Sequence, residues 1–255
     1  MQNRILRVHY LPRQVPAEEL AGSTVVVIDL LRATTTICQA LASGATEVMP
    51  FLEIEDAFAA AKAAPDRERI VLGGERRGVK IDGFDLGNSP AEYTREAVGG
   101  RRVFITTTNG TRALHHSRLA ARVVVGALVN LSAVVASVKD ARQVDILCAG
   151  TDGAETNEDN LAAGAMVHRL VANSAEWQPD ERAATAQREW RRVLDSAQAS
   201  GLPLNGVIEQ ELQLSKGGKN LLEVGHGGDL ALCAEVDCLD VVPEFDVQAS
   251  RISLR

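Results

Sequence analysis

The chain has 255 residues, 45% of them hydrophobic and 24% charged, enough to bury a large core without disulfide or metal staples. Its formal net charge of -7 argues against a general nucleic-acid or anionic-membrane binder, while a few local cations would still suffice for a small anionic ligand. No leader-like apolar stretch opens the sequence, and no run approaches the ~18 apolar residues of a membrane span, so a cytoplasmic location is expected.

In chain order, the opening "RILRVHYLP" reads as a strand, as does the closing "CLDVVPEFDV", and both are candidates for antiparallel additions to a sheet. Between residue 24 and about 173, β-branched runs alternate with Ala-rich helical periods. The predicted strands are "TVVVIDLL", "TEVMPF", "RIVLGGE", "RRVFITTT", "ARVVVGAL" and "VDILCAG". Helices are predicted to begin near Thr34, Glu53, Pro90, Thr111, Leu131 and Glu158, with Asn88 or Ser89 as a cap ahead of Pro90. Continuous apolar strands between helices predict a three-layer α/β/α fold around a mostly parallel, mixed sheet. From Asn173 the sequence turns polar and helical. With no repeat, low-complexity tract or clear linker, residues 1–255 are expected to form one α/β domain with a helical excursion near 174–215. Cys38, Cys148, Cys233 and Cys238 show no CxxC pair and read as reduced core residues.

Ligands of open α/β sheets bind at the carboxyl ends of strands, and four predicted strand ends carry small hydroxyls, carboxylates and cations. "IDLLRATTT" holds Asp29, Arg32, Thr34, Thr35 and Thr36; "GGERRGVK" holds Glu75, Arg76 and Lys80. "TTTNGTR" holds Thr106, Thr107, Thr108, Asn109, Thr111 and Arg112, and "CAGTDGAETNED" holds Cys148, Asp152, Glu155, Glu158 and Asp159. This inventory suits an oxygen-rich anion together with a hard cation such as Mg²⁺. Each set also has an ordinary explanation: threonine fits strands and helix starts, and acids in a first helical turn complement the dipole. Asp29 is the least easily explained that way, because a carboxylate directly after "VVVI" needs a partner. Several phosphate chemistries are excluded by pattern: there is no DxDx[TV], Cx5R, GxxxxGK[ST], GxSxG or GxGxxG.

Five stretches in order, "VIDLLRATTTICQALASGA", "GGERRGVKIDGFDLGNSPAEYT", "TTTNGTRAL", "CAGTDG" with "NEDNLAAG", and "SKGGKNL" with "GGDLALCAEVDCLDVVP", resemble the 2-phosphosulfolactate phosphatase family. The resemblance implies a three-layer fold and Mg²⁺-dependent hydrolysis of (R)-2-phospho-3-sulfolactate to 3-sulfolactate and phosphate, a step of coenzyme M biosynthesis in methanogens. Lys216 and Lys219 stand where the family usually carries an arginine. The expected catalytic set is Asp29, Arg32, Glu75, Asn109 and Arg112. The expected substrate contacts are Thr35, Thr36, Thr107, Thr108 and Thr111, with Arg76 and Lys80 at the sulfonate or carboxylate end. Asp29, Glu158 and Asp159 are the expected Mg²⁺ ligands, with Glu75 a further candidate. The expected partner is a small anionic phosphorylated substrate, with no nucleic acid and no membrane, and a homo-oligomer such as a dimer stays open. A lyase or transferase on a phosphorylated acid and a non-catalytic anion receptor are the alternatives to hydrolysis.

Overall fold

The computed structural model describes residues 3–254. In chain order the strands are β1 (Arg4–His9), β2 (Thr24–Ile28), β3 (Glu47–Pro50), β4 (Ile70–Arg76), β5 (Val79–Lys80), β6 (Arg102–Thr106), β7 (Arg122–Val125), β8 (Gln143–Cys148), β9 (Trp177–Pro179), β10 (Pro243–Asp246) and β11 (Arg251–Leu254). The helices are α1 (Ala33–Ala42), α2 (Ile54–Ala63), α3 (Arg95–Val98), α4 (Gly110–His116), α5 (Leu131–Val138), α6 (Asn157–Asn173), α7 (Glu181–Ser200), α8 (Leu204–Leu214), α9 (Lys216–Glu223) and α10 (Gly228–Ala234).

The strands form one mixed sheet in the order β5-β4-β6-β3-β11-β10-β7-β2-β8-β1-β9. Helices cover both faces. On β4 and β6, Val71, Val103 and Ile105 face the large core shared with α1, while Ile70, Leu72 and Phe104 face a smaller cluster with Ala57 and Ala61 of α2. That alternation follows from the two-residue period of a strand. β2 is buried on both sides from Val25 to Ile28, which explains its unbroken apolar run.

The pairing contains a reversal. β9, β1, β8, β2 and β7 are mutually parallel, and so are β4, β6 and β3. The β10–β11 hairpin joins the two blocks through three successive antiparallel pairings, so they run in opposite senses. A twist of roughly 20–25° per pairing, accumulated over five pairings from β2 to β6, rotates one block by about 100–125° against the other. The carboxyl ends of β2 and β6 meet as a result. A Cβ on Gly110 would lie 2.6 Å from Ala33 Cβ and 2.9 Å from Asp29 Oδ2. The two threonine-rich turns therefore open into one cleft.

Four expectations need correction. β1 is parallel to both of its neighbours, so only the closing hairpin adds antiparallel strands at the sheet centre. Pro90 opens a 3-10 turn, Pro90–Glu92, with no side-chain cap; the nearby α-helix is α3, capped by Thr94 Oγ1 accepting from the Ala97 amide at 3.3 Å. The excursion at 174–215 contains edge strand β9 before α7 and α8, because Trp177 pairs with Arg4 and is buried. Three cysteines are buried, but Cys238 is exposed.

Candidate active site

A cleft of about 530 Å³ lies where the loops after β2, β4, β6 and β8 meet α9. Its lining includes Asp29, Arg32, Glu75, Arg77, Asn88, Thr108, Asn109, Asp152 and Asn220. Asp29 is buried and its backbone is tied down: Thr34 Oγ1 donates to the Asp29 carbonyl at 2.9 Å. Asp29 Oδ1 accepts from the Ala33 amide at 3.2 Å, satisfying one of the donors that the start of α1 leaves open. Burial pushes the carboxyl up to about 7, with the charges of Glu75 and Glu158 adding to it and the amides of Ala33 and Gly110 opposing.

Behind Asp29 lie two further acids. Asp159 Oδ1 accepts from the Leu30 amide at 2.8 Å and Oδ2 from the Gly150 amide at 2.9 Å, stitching the β2 loop to the β8 loop. Glu158 Oε1 accepts from the Gly217 amide at 3.0 Å, while its Oε2 is buried without a partner among the described residues. Burial raises the proton affinity of both, and for Asp159 the neighbouring Asp29 and Glu158 raise it further. Three buried acids that suppress one another's ionisation form a site prepared for positive charge.

Glu75 is a clasp. Its Oε2 accepts from the Gly78 amide at 2.7 Å and its Oε1 from the Thr108 amide at 2.8 Å, so it binds the β4–β5 turn to the "TTTNG" turn. Arg32 is 3% exposed and donates through Nη1 to Asp229 Oδ2 at 2.6 Å and through Nη2 to the Gly78 carbonyl at 3.0 Å. Asp229 accepts in turn from Ser89 Oγ at 2.6 Å. Asp229, Asn88, Arg77 and Asn220 were not among the expected site residues. Asp229 sits in "GHGGDL", more than 190 residues from Arg32, and only the fold pairs them. Arg77 is exposed and sits in the left-handed region at φ 54°, which turns it into the cleft next to Gly78.

Several expected residues lie elsewhere. Thr35 and Thr36 are buried, and their hydroxyls donate to the carbonyls of Leu30 and Asn88, both at 2.9 Å. Thr107 and Thr111 bond to each other, Thr111 Oγ1 donating to the Thr107 carbonyl at 2.8 Å. Arg76 follows Glu75 on β4 and so points to the other face, donating to the Leu52 carbonyl and Thr106 Oγ1. Lys80 is exposed on β5 and Arg112 is exposed on α4; neither lines the cleft. The "TTTNGTR" turn spends its amides on Glu75, Thr107 and Asp29, and contributes to the cleft through Thr108 and Asn109 side chains. Thr108 Oγ1 is buried without a partner among the described residues. Lys216 Nζ donates to the Thr151 carbonyl at 3.1 Å and stands 3.8 Å from Asp152, at the cleft rim. Burial pushes the Cys148 thiol well up, which disfavours a thiolate nucleophile.

Among the described residues no three His, Cys, Asp or Glu side chains are grouped as a ready metal-ligand set. Mg²⁺ is usually held by one or two carboxylates, with waters and substrate oxygens completing its shell. Asp29, which lines the cleft, and the partnerless Oε2 of Glu158, which is buried outside the cleft's lining, match that requirement in chemistry. Asp159, with both oxygens already accepting amides, is the poorer donor.

The family model described as 2-phosphosulpholactate phosphatase matches residues 9–248. A probable 2-phosphosulfolactate phosphatase of Symbiobacterium thermophilum is 42% identical over 231 residues, covering 90% of this chain and 94% of that protein. A protein of the same description from a Synechococcus species is 41% identical over 242 residues, covering 92% and 94%. Another from Caldanaerobacter subterraneus is 37% identical over 228 residues, covering 89% of each chain. On a family match that spans both the cleft and the sheet that builds it, the chain belongs to the 2-phosphosulfolactate phosphatase family.

Proposed function

We propose that this chain is a phosphoric monoester hydrolase that cleaves 2-phospho-3-sulfolactate, or a closely related small phospho-hydroxy acid, to the hydroxy acid and phosphate. The observation that carries this reading is the meeting, in one cleft, of a buried carboxyl raised to about 7 with a wall bearing Arg32 and Arg77. A purely anion-binding pocket gains nothing from the acids; a hydrolase of a phosphorylated acid gains a place for a cation from them, as well as positive charge for the anionic groups of its substrate. The raised Asp29 carboxyl marks a place where positive charge is missing, so Asp29 would serve as the cation's ligand, its ionised form restored by the bound charge. Arg32, held by Asp229, presents a fixed guanidinium to anionic oxygens without reorganising. Thr108 and Asn109 supply a hydroxyl and a carboxamide to the phosphoryl group. Mg²⁺ fits beside Asp29 and Glu158, where it would neutralise phosphoryl oxygens and acidify a bound water.

Arg32 and Arg77 replace Arg76 and Lys80 as the candidates for the acid end, since these two line the cleft. The test is phosphate release from 2-phospho-3-sulfolactate, measured with Mg²⁺ and after chelation. Chelation and Asp29→Asn should each lower kcat/KM by about a thousandfold or more. Undiminished turnover in Asp29→Asn removes Asp29 from the chemistry, and undiminished turnover under chelator removes the metal. Recovery of the intact hydroxy acid separates hydrolysis from a lyase reaction.

A further inference from the structure

Asn88 lines the cleft and has no part in the proposed mechanism. It is 4% exposed, and its Oδ1 is buried with no hydrogen-bond partner among the described residues. A stranded buried polar atom costs about 1–3 kcal/mol, so a side chain kept in that condition needs a reason. Helix capping is not the reason, because the 3-10 turn at Pro90–Glu92 has no side-chain cap. The backbone beneath it is held firmly. Thr36 Oγ1 donates to the Asn88 carbonyl at 2.9 Å. The next residue, Ser89, bonds Asp229 Oδ1 at 2.6 Å, while Asp229 Oδ2 holds Arg32 at 2.6 Å. Arg32 and Ser89, the neighbour of Asn88, are thus fixed through one shared carboxylate, and Arg32 and Asn88 both line the cleft.

We propose that Asn88 is a substrate-binding residue that, with Arg32, grips the acid end of the phosphorylated substrate. A phospho-hydroxy acid has two anionic ends. The acidic side at Asp29 suits the end that arrives with a cation, so the other end requires the Arg32 wall. A carboxamide offers both a donor and an acceptor, and a half-turn about its last bond exchanges them, so Asn88 can donate to a carboxylate or sulfonate oxygen. This inference rests on the phosphatase reading for its substrate, but not for its binding measurement.

Asn88→Ala and the near-isosteric Asn88→Asp test it. Asn88→Ala should raise KM for 2-phospho-3-sulfolactate about tenfold with kcat changed less than about threefold, the signature of lost uniform binding. Asn88→Asp, placing a negative charge against the acid end, should raise KM about a hundredfold. With p-nitrophenyl phosphate, which lacks an acid end, kcat/KM of Asn88→Ala should match the parent enzyme. Calorimetric binding of 3-sulfolactate should weaken in the same order, Asp more than Ala. An equal loss on both phosphate esters, or unchanged 3-sulfolactate binding, overturns the assignment. A parent enzyme that releases no phosphate defeats the phosphatase reading instead, and the 3-sulfolactate titration still decides Asn88.

Discussion

Asp29 and Asp145 show how far a single residue type can be read. Both are carboxylates embedded in β-branched runs, and both need a partner. Asp145 finds one in His9, whose Nε2 lies 2.8 Å from Oδ1, and in Gln143 at 2.7 Å; these bonds outweigh burial and hold its carboxyl below the usual range. Asp29 is buried against backbone amides and other acids, and burial with those charges raises its carboxyl. The difference lies in which residues the fold brings near, His9 being more than 130 residues from Asp145. The arginines are sorted the same way. Arg112 and Arg77 stand in equally promising turns, but Arg112 is exposed outside the cleft and Arg77 lines it. Arg77→Ala is therefore expected to lower kcat/KM for the phosphorylated acid by about tenfold or more, and Arg112→Ala to change it less than about twofold. Steady-state kinetics on the two variants checks this; a larger loss in Arg112→Ala would mean the α4 turn faces the ligand differently.

Among the elements, the starts of α1 and α4 meet closely at the site. Gly110 is the contact point, since a Cβ there meets Ala33 Cβ at 2.6 Å and Asp29 Oδ2 at 2.9 Å. Gly110→Ala is expected to push the two helix starts apart and cost about 1–3 kcal/mol of stability. Because Asp29 moves with α1, the same variant should lose activity well beyond what its partial unfolding explains. Urea denaturation and kinetics at low temperature measure the two effects separately, and a fully active Gly110→Ala would show that the approach is not needed. Most element positions were legible from pattern alone: helices start at Ala33, Ile54, Gly110, Leu131 and Asn157, each within a residue of expectation. The misses have local causes. β9 is three residues long, too short for periodicity to register. Pro90 with a polar neighbour suits a 3-10 turn as well as a helix start.

Across the molecule, the acidic cluster makes stability depend on pH in a direction that can be worked out. In the unfolded chain Asp29 titrates at 3.8; in the fold its pKa is about 7. Between those values the folded chain retains a proton that the unfolded chain has released, so stability falls as pH rises from about 4 to about 7 and levels off above. The full effect of Asp29 is at most about 4 kcal/mol by this linkage. Glu158 and Asp159, also raised, add with the same sign. Thermal melts without divalent ions should therefore show a lower Tm at pH 8 than at pH 5, a shallower slope in Asp29→Asn, and recovery with Mg²⁺ at pH 8. Identical slopes in parent and variant would remove Asp29 from the cluster.

The α/β alternation, the apolar strands, and the strand-end inventory of acids and hydroxyls were readable from residue order, because local periodicity and propensity act over a few neighbours. Those features narrowed the chemistry to an anion with a hard cation. Which of the inventory faces the ligand was a matter of assembly. An eleven-strand sheet, reversed at its centre by the β10–β11 hairpin, twists until the β2 and β6 ends meet. That meeting sends Thr35, Thr36, Thr107 and Thr111 into backbone bonds and brings Asp229 and Asn88 to Arg32. Contacts between residues more than a hundred positions apart set burial and charge at the cleft, and no local pattern encodes them.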